Sequence, residues 1–149
     1  MFAVENTGRS WGRGIGIGLL VGILTAAVML IATAAGLSPF PKPPSLAFAE
    51  TVLGRSVPLP IGLLFHLAYV TFWCLVYVRF FPRRGLGPAL GLGFALWLVI
   101  LVVFFPVVGW GFAGLAVSPK LIVASFVPHL VFALLLWALD RYLPSVVRS

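Results

Sequence analysis

Four uninterrupted apolar runs leave this chain few ways to fold. They extend over Gly14–Gly36, Pro60–Phe81, Gly87–Trp110 and Leu121–Leu143, each 22 to 24 residues long, with charge only at their ends. At ~1.5 Å per residue, a helix of that length spans the ~30 Å hydrocarbon layer of a bilayer. Backbone amides in lipid must be satisfied within their own segment, so the runs are expected to be helices and not strands. The expected fold class is therefore all-α: a polytopic membrane protein in which residues 1–149 form one domain of four transmembrane helices.

Composition agrees with lipid as the solvent. Hydrophobic residues make up 62% and charged residues 9% of the chain, where a soluble domain carries about a quarter charged. The net charge of +7 would suggest nucleic acid in a soluble protein. Here the cations flank apolar runs, where phospholipid headgroups lie, so membrane lipids are the expected partner and nucleic acid is not. The single cysteine, Cys74, lies inside an apolar run and reads as a small buried hydrophobe.

The basic residues set an orientation. Arg9, Arg13, Arg79, Arg83, Arg84, Arg141 and Arg148 fall on one side, and Lys42, Arg55 and Lys120 on the other. The positive-inside rule then puts both termini in the cytoplasm. Ala32-Thr33-Ala34 resembles a signal-peptidase site. The run before it exceeds the usual ~7–15 residues of a cleaved signal, so it reads as a retained helix of a cell-membrane protein. The first outer connection is proline-rich. Within it, residues 45–53 read as a short interfacial helix with Ser45 as N-cap, Gly54 as C-cap and an apolar stripe through Leu46, Ala49 and Leu53.

A two-fold internal repeat of a helical pair is expected. Gly12, Gly14, Gly18 and Gly22 match Gly85, Gly87, Gly91 and Ala95 at a shift of 73, and Gly36 matches Gly109. His66-Leu67 matches His129-Leu130 at a shift of 63, with Tyr69 on Phe132. Gly14, Gly18 and Gly22, and then Gly87, Gly91 and Ala95, form small-residue ladders that let helix backbones approach closely. The simplest expectation is that the first and third spans pack on each other through them; contact with another subunit is the rival.

His66 and His129 are the ionisable groups well inside the runs. They lie 13 and 12 residues before Arg79 and Arg141 on helices running the same way, so their depths match. Intramembrane polar groups are candidate functional sites. Matched imidazoles on two helices of a bundle are the ligand pattern of a b-type haem. Gly62 and Ser125, one turn above them, would admit a flat macrocycle, and Arg55 and Lys120 would meet its propionates. The simpler reading is structural: a neutral imidazole donates to a backbone carbonyl, and Pro128 frees such a carbonyl at Ala124. Two ligands are too few for zinc. A carrier for a neutral or hydrophobic solute would have a wet cavity lined by Thr25, Thr71 and Ser125. Glu5 and Glu50 lie outside the runs, and Asp140 reads as an interfacial charge paired with Arg141. No nucleophile–base constellation or phosphate loop is present, so an enzyme is not expected. Trp11, Tyr77, Trp110 and Tyr142 read as an interfacial aromatic belt, and Phe104, Phe105 and Pro106 as the close of the third helix.

The chain resembles small prokaryotic four-helix integral membrane proteins grouped as a domain of unknown function. The resemblance rests on Thr25-Ala26-Ala27-Val28-Met29-Leu30 with Gly36-Leu37-Ser38, Gly62-Leu63-Leu64-Phe65-His66, Gly91-Leu92-Gly93-Phe94-Ala95-Leu96-Trp97 and Pro128-His129-Leu130-Val131-Phe132-Ala133. It covers residues 14–142 and implies the four-helix fold and the embedded histidines, without an activity.

The leading expectation is a non-catalytic accessory or scaffolding subunit, without a cofactor, that packs against other membrane-protein subunits, respiratory or photosynthetic complexes being natural hosts. The alternatives are a small bis-histidine cytochrome carrying haem b on His66 and His129, and the solute carrier.

Overall fold

The computed structural model describes residues 5–143; Arg148 lies outside them. Every regular element among these residues is helical. Helix α1 covers Glu5–Ala34, α2 Pro44–Leu53, α3 Leu59–Phe80 and α4 Leu86–Val99. A π-helical turn, Ile100–Phe104, carries α4 into the short α5, Phe105–Val107. A 3₁₀ turn, Phe112–Gly114, precedes α6, Lys120–Tyr142. Four helices are long and apolar enough to cross a membrane: Trp11–Ala34, Leu59–Phe80, Leu86–Val107 and Lys120–Tyr142.

Glycine and proline explain the boundaries. Gly36 (φ 71°) and Gly109 (φ 79°) both adopt the left-handed conformation that ends a helix. Leu37 N–H returns to Ala32 O at 2.9 Å, and Trp110 N–H to Phe105 O at 2.8 Å. The third span ends at Val107, one residue past Pro106, close to the expected end at Phe104, Phe105 and Pro106. The π turn before the proline shifts the backbone bonding by one residue, so Phe105 N–H reaches Ile100 O.

The spans form two antiparallel pairs, α1 with α3 and α4 with α6, joined mainly where α1 meets α6. This corrects the expected pairing of the first and third spans. A Cβ on Gly18 would lie 2.5 Å from Thr71 Cα, one on Gly14 2.6 Å from Leu75 Cδ1, and one on Gly22 2.8 Å from Leu67 Cδ2. The first ladder therefore seats α3. On the second ladder, Gly87 and Gly91 have open space where a Cβ would go, and Ala95 is exposed. The close approach on α4 is made by Gly93, where a Cβ would meet His129 O at 2.8 Å and Ala133 Cβ at 2.9 Å.

Two apolar clusters stack along the bundle. One, toward the arginine-rich end, gathers Ile17, Val21, Cys74, Tyr77, Ala89, Leu92, Phe132 and Leu136. The other, toward the proline-rich end, gathers Ala47, Leu101, Phe105, Trp110, Ala113 and Leu121. Tyr77 and Trp110, expected in an interfacial belt, are buried in these clusters, while Trp11 and Tyr142 are exposed. Tyr77 Oη donates to Gly85 O (3.0 Å) and accepts from Gly85 N–H (2.8 Å), clamping the turn between α3 and α4.

Helix α2 begins with Pro43 as N-cap and Pro44 in its first turn, so Ser45 lies inside it and caps nothing; Gly54 (φ 63°) ends it as expected. Ala47 and Ala49 are its buried residues, whereas Leu53 is exposed. It leans on α3 at Gly62, where a Cβ would lie 2.7 Å from Leu46 Cα. Lys42 Nζ donates to Glu50 Oε2 at 2.6 Å and Ser56 Oγ donates to Glu50 Oε1 at 3.2 Å, tying the segments at both ends of α2 to one carboxylate. The Lys42 hydrogen bond holds the Glu50 carboxyl below its ordinary range.

At the arginine-rich end, Asp140 pairs with Arg13 and Arg84, not with its neighbour Arg141. Its Oδ1 lies 3.4 Å from Arg13 and 3.1 Å from Arg84. Arg13 also donates to the Asp140 carbonyl and, at 3.0 Å, to Leu143 O. One carboxylate thus links α1, the α3–α4 turn and α6. The Arg141 guanidinium lies over the Tyr142 ring instead.

Candidate functional site

Helices α3 and α4 are neighbours in the chain but lack an extended seam. Small residues draw α3 onto α1 and α4 onto α6, which leaves a space between the pairs. Aromatic side chains bridge it: Tyr69 meets Phe104 edge-on at 5.4 Å, and Phe48 of α2 meets Phe104 at 4.7 Å. Behind them lies a cavity of about 610 Å³, walled by α1, α2, α3, α4 with its π turn, and α6. That volume falls in the ~300–1,000 Å³ range of small-molecule sites. Its lining includes the exposed Leu64, Ala68 and Phe72, so it opens on the outer side of α3.

Both histidines line this cavity. The Gly18 and Gly22 contacts press α1 against α3, which brings the Gly22 carbonyl within 3.2 Å of His66 Nε2. A carbonyl only accepts, so Nε2 carries the proton. Thr25 Oγ1, 3.0 Å from the same nitrogen, donates onward to Val21 O at 2.8 Å and so accepts from the imidazole. On α6, His129 Nδ1 donates to Ser125 O at 2.7 Å. That acceptor lies one residue beyond the Ala124 carbonyl, which Pro128 leaves without its helical donor. Gly93 lets α4 pass close to the His129 backbone, where a Cβ would meet the His129 carbonyl oxygen.

Each imidazole therefore uses one nitrogen within the protein. His66 Nδ1 and His129 Nε2 make no hydrogen bond among the described residues, and neither is among the buried unpartnered polar atoms, of which Trp73 Nε1 belongs to a residue of the cavity lining. The rest of the lining is apolar or aromatic: Met29, Leu30, Phe65, Leu96, Ile100 and Phe132 among others, with Tyr69 and Trp73 adding polar atoms to rigid rings.

Other expected contributors lie elsewhere. Thr25 lines the cavity, but Thr71 packs in the α1–α3 seam with its Oγ1 buried and unpartnered. Ser125 is buried beside Trp97, whose Nε1 donates to it at 3.2 Å and to Ile122 O at 3.1 Å. The small positions above the histidines are filled, Gly62 by Leu46 and Ser125 by Trp97. No group of three metal-ligating side chains occurs among the described residues. Sequence reasoning missed Gly93 and the aromatic wall. Gly93 shares a face with the buried Ala89 and Leu96, a spacing legible in principle, whereas nothing in an all-apolar run marks Tyr69 or Phe104 as cavity residues.

No family model, curated protein or solved structure matches this chain.

Proposed function

We propose that the chain is a multi-pass protein of the cytoplasmic membrane, with no catalytic step of its own, that receives a neutral and largely apolar molecule in the cavity between its helix pairs. The observation that carries this reading is the cavity: about 610 Å³, almost wholly apolar, open toward the outside of α3. Large exposed side chains such as Ile31, Leu64, Val102 and Val123 surround the bundle and favour lipid as its solvent. A lateral opening in such a surface suits a molecule that partitions into the bilayer.

Arg13, Arg79, Arg83, Arg84 and Arg141 at one end, against Lys42, Arg55 and Lys120 at the other, support cytoplasmic termini. The matching pairs, α1 with α3 and α4 with α6, and the matching left-handed Gly36 and Gly109 support descent from a duplicated helical hairpin.

The test is mass spectrometry of apolar extracts from protein purified in lipid particles, beside the cavity-filling variant Ala26→Trp. A small molecule held near one per chain, and lost from the variant, supports the reading. Identical extracts from both proteins refute it.

A second reading, an accessory subunit of a larger complex, is favoured by the uncovered face of α4 along Gly87, Gly91 and Ala95. Partner bands lost on Gly91→Leu would support it. Haem b is a third reading, favoured by two imidazoles on one cavity. Against it, Nε2 of His66 is engaged by α1. A Soret band in the isolated chain would decide for it.

A further inference from the structure

Resting on the cavity reading, we propose that the ligand carries a hydroxyl group on its apolar body, and that His66 Nδ1 and His129 Nε2 accept its hydrogen bond. His66 faces the Gly22 carbonyl and His129 faces the Ser125 carbonyl. Neither carbonyl can donate, so each facing nitrogen holds the ring's proton, and in the neutral ring the other nitrogen is a lone-pair acceptor. The backbone fixes both tautomers, and Thr25 reinforces the choice at His66. The two remaining nitrogens make no hydrogen bond among the described residues, and their rings line one cavity.

An apolar molecule without a donor would leave both nitrogens unsatisfied while excluding water from them, which costs affinity. A ketone, quinone or ether brings only acceptors and repeats the mismatch at both imidazoles; the donors on the lining that could meet it are the Tyr69 O–H and the Trp73 N–H, the latter buried without a partner. An alcohol or a phenol brings the O–H that fits. Two acceptors further suit a molecule with two hydroxyls, such as a hydroquinone, while a long-chain or isoprenoid alcohol would use one at a time. Both sources share one recognition chemistry, an O–H donor on a lipid-soluble skeleton.

Full-length protein in lipid particles would be titrated with matched probes, with quenching of its tryptophan fluorescence, Trp73 included, as the readout. One pair is farnesol and farnesyl methyl ether. The other is decyl-hydroquinone, kept reduced with dithionite, and decyl-benzoquinone. Each hydroxyl probe should bind at least about fivefold tighter than its partner, the worth of one net hydrogen bond. Preference in the first pair alone identifies an alcohol as the source, and preference in the second alone a quinol. The preference should fall to near unity in the His66→Phe, His129→Phe double variant, with helicity checked by circular dichroism.

Equal binding of alcohol and ether, and of quinol and quinone, would overturn the inference and leave the cavity reading standing. Saturable binding of no probe at all would overturn both. A preference that survives in the folded double variant would overturn the assignment to the imidazoles. Should that variant fail to fold, the wild-type comparison alone still decides the hydroxyl preference.

Discussion

Replacing Gly18 by alanine adds one methyl group at the closest crossing of α1 and α3. That carbon would lie 2.5 Å from Thr71 Cα and 3.0 Å from Thr71 Cβ and Cγ2. Carbon atoms rest ~3.5–4.0 Å apart, so the helices must separate by about 1 Å, and a gap of that size forfeits about a quarter to a half of each dispersion contact along the seam. Because the obstacle includes backbone, no rotamer change relieves it. Overpacking of this kind costs about 1–3 kcal/mol. Alanine's better helix propensity returns up to about 1 kcal/mol, and less where the unfolded state in detergent keeps its helices. The control is Gly91→Ala on α4, where the new methyl group meets nothing within 4 Å. Unfolding by sodium dodecyl sulfate in mixed micelles, followed by tryptophan fluorescence, should place Gly18→Ala about 1–2 kcal/mol below the parent. Gly91→Ala should fall within about 0.5 kcal/mol of the parent or above it. If the two variants lose equal stability, or Gly91→Ala loses more, the pairing of α1 with α3 described above is wrong.

Other perturbations test other joints. Asp140→Asn keeps the shape of the link among Arg13, Arg84 and α6 but removes its charge. A loss of about 1 kcal/mol is expected, given that Arg84 is exposed, and it should shrink between low and high salt. Tyr77→Phe deletes both hydrogen bonds to Gly85 and should cost about 1–3 kcal/mol in the same unfolding assay, with hydrogen exchange rising first at the α3–α4 turn. Glu50 carries a pH dependence of known sign. The Lys42 hydrogen bond lowers its folded-state pKa below the ordinary carboxylate value of 4.5, so its contribution is present above that value and fades as pH falls through the folded one. Protease susceptibility of the α2 region should therefore rise on acidification in the parent and be independent of pH over that window in Glu50→Gln.

Four runs of 22 to 24 apolar residues determined four helices by themselves, because backbone satisfaction in an apolar medium depends only on length and polarity. The ends were legible to within a few residues except at the start of α1, which begins at Glu5 and not at Gly14, and Gly54 was legible as a cap because a left-handed turn is a local property of glycine. Partner choice was not legible. Both ladders have the spacing of a packing seam, yet α1 uses Gly14, Gly18 and Gly22 against α3, while α4 turns Gly87 and Gly91 outward and packs through Gly93. Spacing tells which residues share a face and is silent about what that face meets. Asp140 shows the same limit with charge: its sequence neighbour Arg141 lies over Tyr142, and its partners Arg13 and Arg84 come from distant positions. The two histidines stood out in the sequence as polar groups at matched depth. The tertiary structure placed them on one cavity and spent one nitrogen of each on a carbonyl. That arrangement depends on how two helix pairs are spaced, a relation between segments that no single segment encodes.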